Sequence, residues 1–432
     1  MKKRNSTTKN AMWIIACKIV QAFIAFIINM LSAKYLGPSN FGVLNYAISV
    51  AAFVLPIVEL GFKSTLVREI IEHPDKEGET MGTALFFSFL SSLVCIMGIC
   101  SFVAVANPNE PVTFIVCALY SITLSAQALE LIQYWFQAKL ISQYTSLTSL
   151  FAYIVVAGYK VYLLATEKSV YWFSVTYAMD YLIIAAILLF FYHRIGSQKL
   201  SVSFRRFREM FATSRYFIVS SLMVTIFAQT DKIMLKFLVN DEAVGIYSVA
   251  VNCAGMTSFV FAAIIDSIRP SVFENKKRDQ KAYENSLIMG YSIIIWLSFA
   301  QSIFMSVFSK LIIDIMYGSQ YTQSANVLRL IVWYTTFSYM GPVRNIWMIA
   351  ENKQNYLWII NLSGAIANIV LNAIMIPFIG VMGAALASLI TQIFTNVIIG
   401  FIMKPIKENN VLLVKALNPR VLIGAVKALV KR

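Results

Sequence analysis

Apolar positions in this chain neither alternate nor form a single stripe. They run for twenty or more residues on every side, interrupted by short polar joints. A helix needs about 20 such residues in succession to cross a bilayer, whereas a membrane barrel strand shows about 10 residues with apolar and polar sides alternating. The pattern predicts an all-α membrane protein. Twelve spans are expected, at 11–33, 43–66, 80–104, 112–138, 144–165, 170–192, 215–238, 244–268, 285–308, 324–349, 355–376 and 380–403. The joints carry turn chemistry: Gly37-Pro38-Ser39-Asn40, Asn107-Pro108-Asn109, Asn240-Asp241 and Pro377 through Gly380. The run from Ala11 to Ala33 is too long for a signal-peptide core and is expected to be retained as the first helix.

Composition agrees with the pattern. Of 432 residues 59% are hydrophobic and 13% charged, against about 25% charged in soluble domains. The net charge of +15 could suggest nucleic acid, but its distribution is topological. The expected spans place 27 of the 36 Lys and Arg residues on the side of both termini and leave Lys34, Lys168, Lys236 and Lys310 on the other. Basic residues are retained in the cytoplasm, so both termini are expected there, beside anionic lipid headgroups and with no nucleic-acid partner. Cys17, Cys95, Cys100, Cys117 and Cys253 all lie in apolar stretches without metal-type spacing. No metal site is expected.

The long polar segment at 193–214 divides the chain into an N-terminal six-helix lobe (1–192), a cytoplasmic linker (193–214), a C-terminal six-helix lobe (215–403) and a basic amphipathic tail (404–432). The halves resemble degenerate repeats. An acid–base pair recurs near the cytoplasmic end of each second helix, as Glu59 with Lys63 and as Asp266 with Arg269. These spacings put each pair on one helix face. Repeated bundles with a substrate site at their interface are a common transporter design.

Ala33-Lys34-Tyr35-Leu36-Gly37-Pro38-Ser39-Asn40-Phe41-Gly42, Leu60-Gly61-Phe62 and Val67-Arg68-Glu69 resemble the first-loop and second-helix signatures of the polysaccharide exporter (oligosaccharide flippase) family. Thr230-Asp231-Lys232-Ile233-Met234, Val244 through Ser248, Met316 through Tyr321 and Asn361 through Gln392 are similar to its later landmarks, in the expected order. That family is grouped with multidrug exporters and peptidoglycan-precursor flippases in one superfamily. The resemblance implies two lobes around a central cavity. Its cargo would be a polyprenyl-diphosphate-linked oligosaccharide repeat unit, moved to the outer leaflet of the bacterial cytoplasmic membrane for cell-surface polysaccharide biosynthesis. Membrane lipids, and a polysaccharide polymerase or assembly proteins, are the implied partners.

Ionisable groups inside spans cost about 2.5–3.5 kcal/mol each at a helix centre, so they usually face a cavity or a partner. A diphosphate headgroup needs cations, and Lys18, Lys63, Lys232 and Arg344 are the candidates for cavity cations. A structural ion pair is the alternative for Lys18, and snorkelling to the interface for Arg344. Lys18→Ala is expected to abolish transport at an unchanged folded amount. Glu59, Asp231, Asp266 and Arg269 are the candidates for gating or ion coupling, to H+, Na+ or the membrane potential; static salt bridges are the alternative for the two pairs. No cofactor is expected.

Two rivals remain. A multidrug-type cation exporter of the same superfamily would share the architecture. A membrane polymerase or ligase is the weaker rival: the outer loops are short, His73 and His193 are both in cytoplasmic loops, and no catalytic constellation is present. No catalytic residues are assigned.

Overall fold

The structure, a computed structural model, describes the backbone of residues 2–196 and 198–430, and the side chains of residue 17 and of residues 19–196 and 198–424. Among the described residues there are helices and turns but no strands. The chain forms two compact units that divide between Gln229 and Thr230.

The first unit holds α1 (Lys2–Val58), α2 (Leu66–Glu72), α3 (Glu77–Ala106), α4 (Pro111–Glu130), α5 (Gln133–Ala138), α6 (Gln143–Ala165), α7 (Val170–Ile195) and most of α8 (Phe204–Leu238). α1 breaks at Gly37, whose φ of 72° and ψ of 169° suit a residue without Cβ. Pro38 follows and removes a backbone donor, so the turn expected at this joint is present. Along α3, Val94, Met97 and Val105 are 59, 62 and 83% exposed. A contiguous apolar face of this kind belongs against lipid.

Part of the segment expected as a cytoplasmic linker is pinned to the start of α3. Ser201 N–H donates to the Gly78 carbonyl over 3.2 Å, Ser203 N–H to Thr83 Oγ1 over 3.0 Å, and Gln198 Nε2 to the Pro74 carbonyl over 2.9 Å. This strap can lie so close because its floor is glycine. A Cβ on Gly82 would stand 2.3 Å from the Ser201 carbonyl oxygen. α8 then starts at Phe204, ahead of the expected 215, and Arg206 reaches back to Glu69 over 3.0 Å and to Thr80 Oγ1 over 3.1 Å. Both charges of that pair are buried, and the added hydrogen bond to Thr80 offsets part of the desolvation cost.

The second unit continues with α9 (Asp241–Gly255), α10 (Ser258–Arg278), α11 (Gln280–Val307), α12 (Ser309–Met316), α13 (Thr322–Ser338), α14 (Met340–Ala350), α15 (Leu357–Ile393), a π-helical turn (Phe394–Ile398), α16 (Ile399–Ile402), α17 (Lys407–Ala416) and α18 (Pro419–Val430). Asn240 and Asp279 cap α9 and α11, each accepting a backbone N–H three residues on over 2.8 Å. α15 doubles back on itself at Ile379–Gly380, where the backbone leaves helical geometry. The return leg packs so tightly that a Cβ on Gly383 would lie 2.4 Å from the Met375 carbonyl oxygen.

Eight described helices are long and apolar enough to cross a membrane, or nine if the pair α9 and α10, bent by 42°, counts as one. The expected twelve divide the same residues more finely. Two expected spans fall largely in α1 and two largely in α15 and its continuation through α16, on either side of the breaks, with 43–66 running past the end of α1 at Val58. The expected 324–349 span is split between α13 and α14.

Within the segment expected as a basic amphipathic tail, α17 packs into the second unit. Asn409 and Asn410 of α17 are buried: Asn409 accepts from the Tyr291 hydroxyl over 2.9 Å, and Asn410 donates to the Val397 carbonyl over 2.6 Å. Leu412 and Leu413 join Trp347, Tyr283 and Tyr291 in the core of the unit. α17 is part of the second unit.

Candidate functional site

The fold-back of α15 creates the most concentrated polar site of the second unit. On a straight helix Asn372 and Ser388 would stand about 24 Å apart. Both instead bond the same carboxylate, that of Asp231 on α8. Asn368 and Asn372, one turn apart on the outgoing leg, donate to Asp231 Oδ1 over 3.1 and 2.6 Å. Ser388 of the return leg and the Tyr247 hydroxyl of α9 both donate to Oδ2. Asp231, Asn368, Asn372, Ser388 and Tyr247 are all buried.

An ionised carboxylate offers about four lone-pair sites, and here four donors occupy them. Four hydrogen bonds converge on one buried carboxylate, an arrangement that stabilises a buried anion. Asn372 Oδ1 is buried with no hydrogen-bond partner. Rotation of hydroxyls and amides would turn the donors into oxygen ligands, and an all-oxygen shell suits hard cations. The site can thus hold a negative charge, or exchange its donors for a proton or a small cation. Among the described residues no group of three or more His, Cys, Asp or Glu could hold a metal.

Arg344 occupies a second buried position, on α14. Its guanidinium donates to the Thr395 carbonyl over 2.6 Å and to Asn396 Oδ1 over 3.1 Å, both in the π-helical turn, and to Asn345 Oδ1 over 3.3 Å. A π-turn interrupts the i→i−4 ladder, and Arg344 takes up acceptors there. All these acceptors are neutral, and among the described residues no carboxylate pairs with Arg344 and its Nε has no partner.

The other sequence candidates are dispersed. Lys232 follows Asp231 on α8, so the two side chains diverge by about 100°, and Lys232 is only partly buried. Lys63 lies beyond the end of α1 and pairs with Glu59 over 3.5 Å, its own side chain 57% exposed. Asp266 and Arg269 pair over 3.2 Å on α10 and are both exposed. The spacings therefore form the ion pairs they predict. The side chain of Lys18 lies outside the described residues. Sequence reasoning missed the four donors around Asp231. The signal was Asn368 and Asn372, two amides four apart in an otherwise apolar run.

A family model described as polysaccharide biosynthesis protein matches residues 7–276. The chain belongs to that family. Its curated relatives include a "Probable low-salt glycan biosynthesis flippase Agl15" of Haloferax volcanii, 24% identical over 200 residues, covering 45% of this chain and 42% of the relative. An "Uncharacterized membrane protein MJ1068" of Methanocaldococcus jannaschii is 23% identical over 224 residues, covering 49% and 44%. In these matches the chain spans less than half the length of either relative.

The fold of this family member is similar to that of solved transporters. "Lipid II flippase MurJ, inward closed conformation" matches with a TM-score of 0.74 at 14% identity, covering 96% of this chain and 91% of that one. A "multidrug resistance MATE family transporter of the MOP superfamily" in an inward-facing conformation matches with a TM-score of 0.69 at 11% identity, covering 91% and 96%. The chain is a multi-pass membrane protein with an all-helical fold of the kind these transporters share.

Proposed function

We propose that this protein is a flippase that moves a polyprenyl-diphosphate-linked oligosaccharide repeat unit from the cytoplasmic to the outer leaflet of the cytoplasmic membrane, and that it is not an enzyme. The observation that carries the proposal is membership of the polysaccharide biosynthesis family in a chain with at least eight helices long and apolar enough to cross a membrane. A relative named as a glycan biosynthesis flippase supports it. The distribution of Lys and Arg supports cytoplasmic termini and twelve crossings.

In this reading Lys18, Lys63, Lys232 and Arg344 meet the diphosphate during its passage. Arg344 is the best supported, because no carboxylate among the described residues offsets its charge. Asp231 couples the movement to H+ or Na+, since its four donors can turn to admit a cation. Asp266–Arg269 is an exposed pair and Glu59–Lys63 is exposed on its lysine side only; both can part as a gate, the first at modest cost, because surface ion pairs contribute only about 0–1 kcal/mol.

Proteoliposomes holding the full chain test the proposal. A fluorescently labelled polyprenyl-diphosphate oligosaccharide should cross only when the protein is present, and a cationic dye should not. Dye transport without movement of the lipid would instead assign the chain to the multidrug-type exporters.

A further inference from the structure

The first unit contains a polar seam that none of the preceding assignments uses. α1 and α6 pack side by side, and two cavities lie along their contact. One, of about 290 Å3, is lined by Gln21, Gln133, Gln137, Thr145 and Ser149, all neutral amides and hydroxyls. The other, of about 240 Å3, is lined by Asn29 and Ser32 of α1, Tyr153 and Lys160 of α6, and Tyr177 and Asp180 of α7. Gln21 and Asn29 are eight residues apart, about 12 Å along one helix, so the cavities follow one another along the seam.

In the second cavity Asn29 Oδ1 and Asp180 Oδ1 are buried acceptors with no hydrogen-bond partner, and each such group costs about 1–3 kcal/mol unless something donates to it. The ammonium of Lys160 lies 4.1 Å from the centre of the Tyr177 ring. No ion pair within 4.0 Å joins it to Asp180 among the described residues. The volume corresponds to about eight waters at about 30 Å3 each, too large for a lone ion. Lys160 and Asp180 act in opposite senses on either kind of ion, so the pair favours no net charge in the cavity. An apolar group would leave the two acceptors unsatisfied. A neutral polyhydroxyl ring suits this mixed lining: its hydroxyls donate to Asp180 and Asn29 and accept from Lys160, while its C–H face lies on Tyr153.

We infer that the cavity formed by Asn29, Lys160, Tyr177 and Asp180 binds one neutral sugar ring of the transported glycan. The inference rests on the flippase reading for its cargo but stands on its own geometry. The amide-lined cavity, nearer the start of α1, receives the ring before it reaches this one. Waters occupy the site between passages and are exchanged for hydroxyls.

Two variants test it. Asp180→Asn combined with Lys160→Met removes both charges with little change of shape, and Ala157→Phe fills the cavity from its wall. Saturation-transfer NMR on the full chain in lipid nanodiscs uses free N-acetylglucosamine, galactose and rhamnose as probes. At least one sugar should bind saturably to the wild type and about ten-fold or more weakly to both variants, the value of one hydrogen bond to a charged group, at an unchanged thermal midpoint. Should one variant fold poorly, the other decides. Absence of sugar binding by the wild type, or binding equal in wild type and variants, overturns the assignment. Vesicle transport separates it from the flippase reading. If the wild type moves the lipid-linked glycan and both variants do so equally well, the sugar site is wrong and the flippase stands. If the wild type moves none, the flippase reading fails.

Discussion

The Asn372 amide donates to Asp231 across 2.6 Å although 141 residues separate them. The contact exists because α15 folds back at Gly380 and brings both of its legs to α8. Two kinds of substitution at this cluster should behave differently. Asp231→Ala leaves four buried donors without their acceptor, at about 1–3 kcal/mol for each that stays unsatisfied, and removes the charge proposed for ion coupling. Asn372→Ala keeps the charge and removes one donor. Thermal unfolding should show the larger loss for Asp231→Ala. Transport driven by a proton or sodium gradient should vanish in Asp231→Ala and persist in Asn372→Ala.

Gly82 and Gly98 lie on the same helix and make opposite predictions. A Cβ at Gly82 meets the backbone of Ser201, whereas at Gly98 nothing lies within 4 Å. Gly98→Ala should raise the thermal midpoint slightly, because alanine is favoured over glycine in a helix by about 1 kcal/mol. Gly82→Ala should lower it and expose residues 198–203 to limited proteolysis. Equal midpoints and an equally resistant strap would show that the close approach is not needed.

Arg344 combines a structural and a proposed transport role, and two variants separate them. Arg344→Met leaves the Thr395 carbonyl and Asn396 without their donor and should cost about 1–3 kcal/mol. Arg344→Lys keeps the charge without the planar fork. Both should lower the thermal midpoint. Glycan transport should survive in part only in the lysine variant; equal transport by both would remove Arg344 from the diphosphate path.

Glu351, in the turn after α14, makes stability depend on pH. Burial raises its carboxyl pKa, but Lys276 at 2.5 Å, the Tyr283 hydroxyl and Lys353 together more than offset this, and the net shift is downward. A carboxyl lowered in the folded state stabilises above its unfolded pKa, about 4.3 for glutamate, and loses that contribution as pH falls through the folded value. The thermal midpoint should therefore drop on acidification from about pH 6 to below about pH 4. Glu351→Gln should be less stable at neutral pH and show a smaller part of that drop.

Much of this fold was legible as sequence because its causes are local. The breaks at Gly37 and Gly380 follow from Gly and Pro at the joints, and the Glu59–Lys63 and Asp266–Arg269 pairs from helical spacing. What escaped was set by distant partners. Ser201 resting on Gly82, Asn409 accepting from Tyr291, and Asn368, Asn372, Tyr247 and Ser388 meeting at Asp231 join residues that no local periodicity connects. Asp231 itself stood out as a charge in an apolar run. Asn29, Lys160 and Asp180 belong to three different helices, and only packing brings them to one cavity.

The most direct test of the central claim is the sidedness of lipid-linked glycan in cells lacking this protein, measured by lipid mass spectrometry with a glycan probe that cannot cross the membrane. A diphosphate-linked oligosaccharide should accumulate on the cytoplasmic face and reach the outer face when the protein is restored. An unchanged lipid pool with normal sidedness would contradict it.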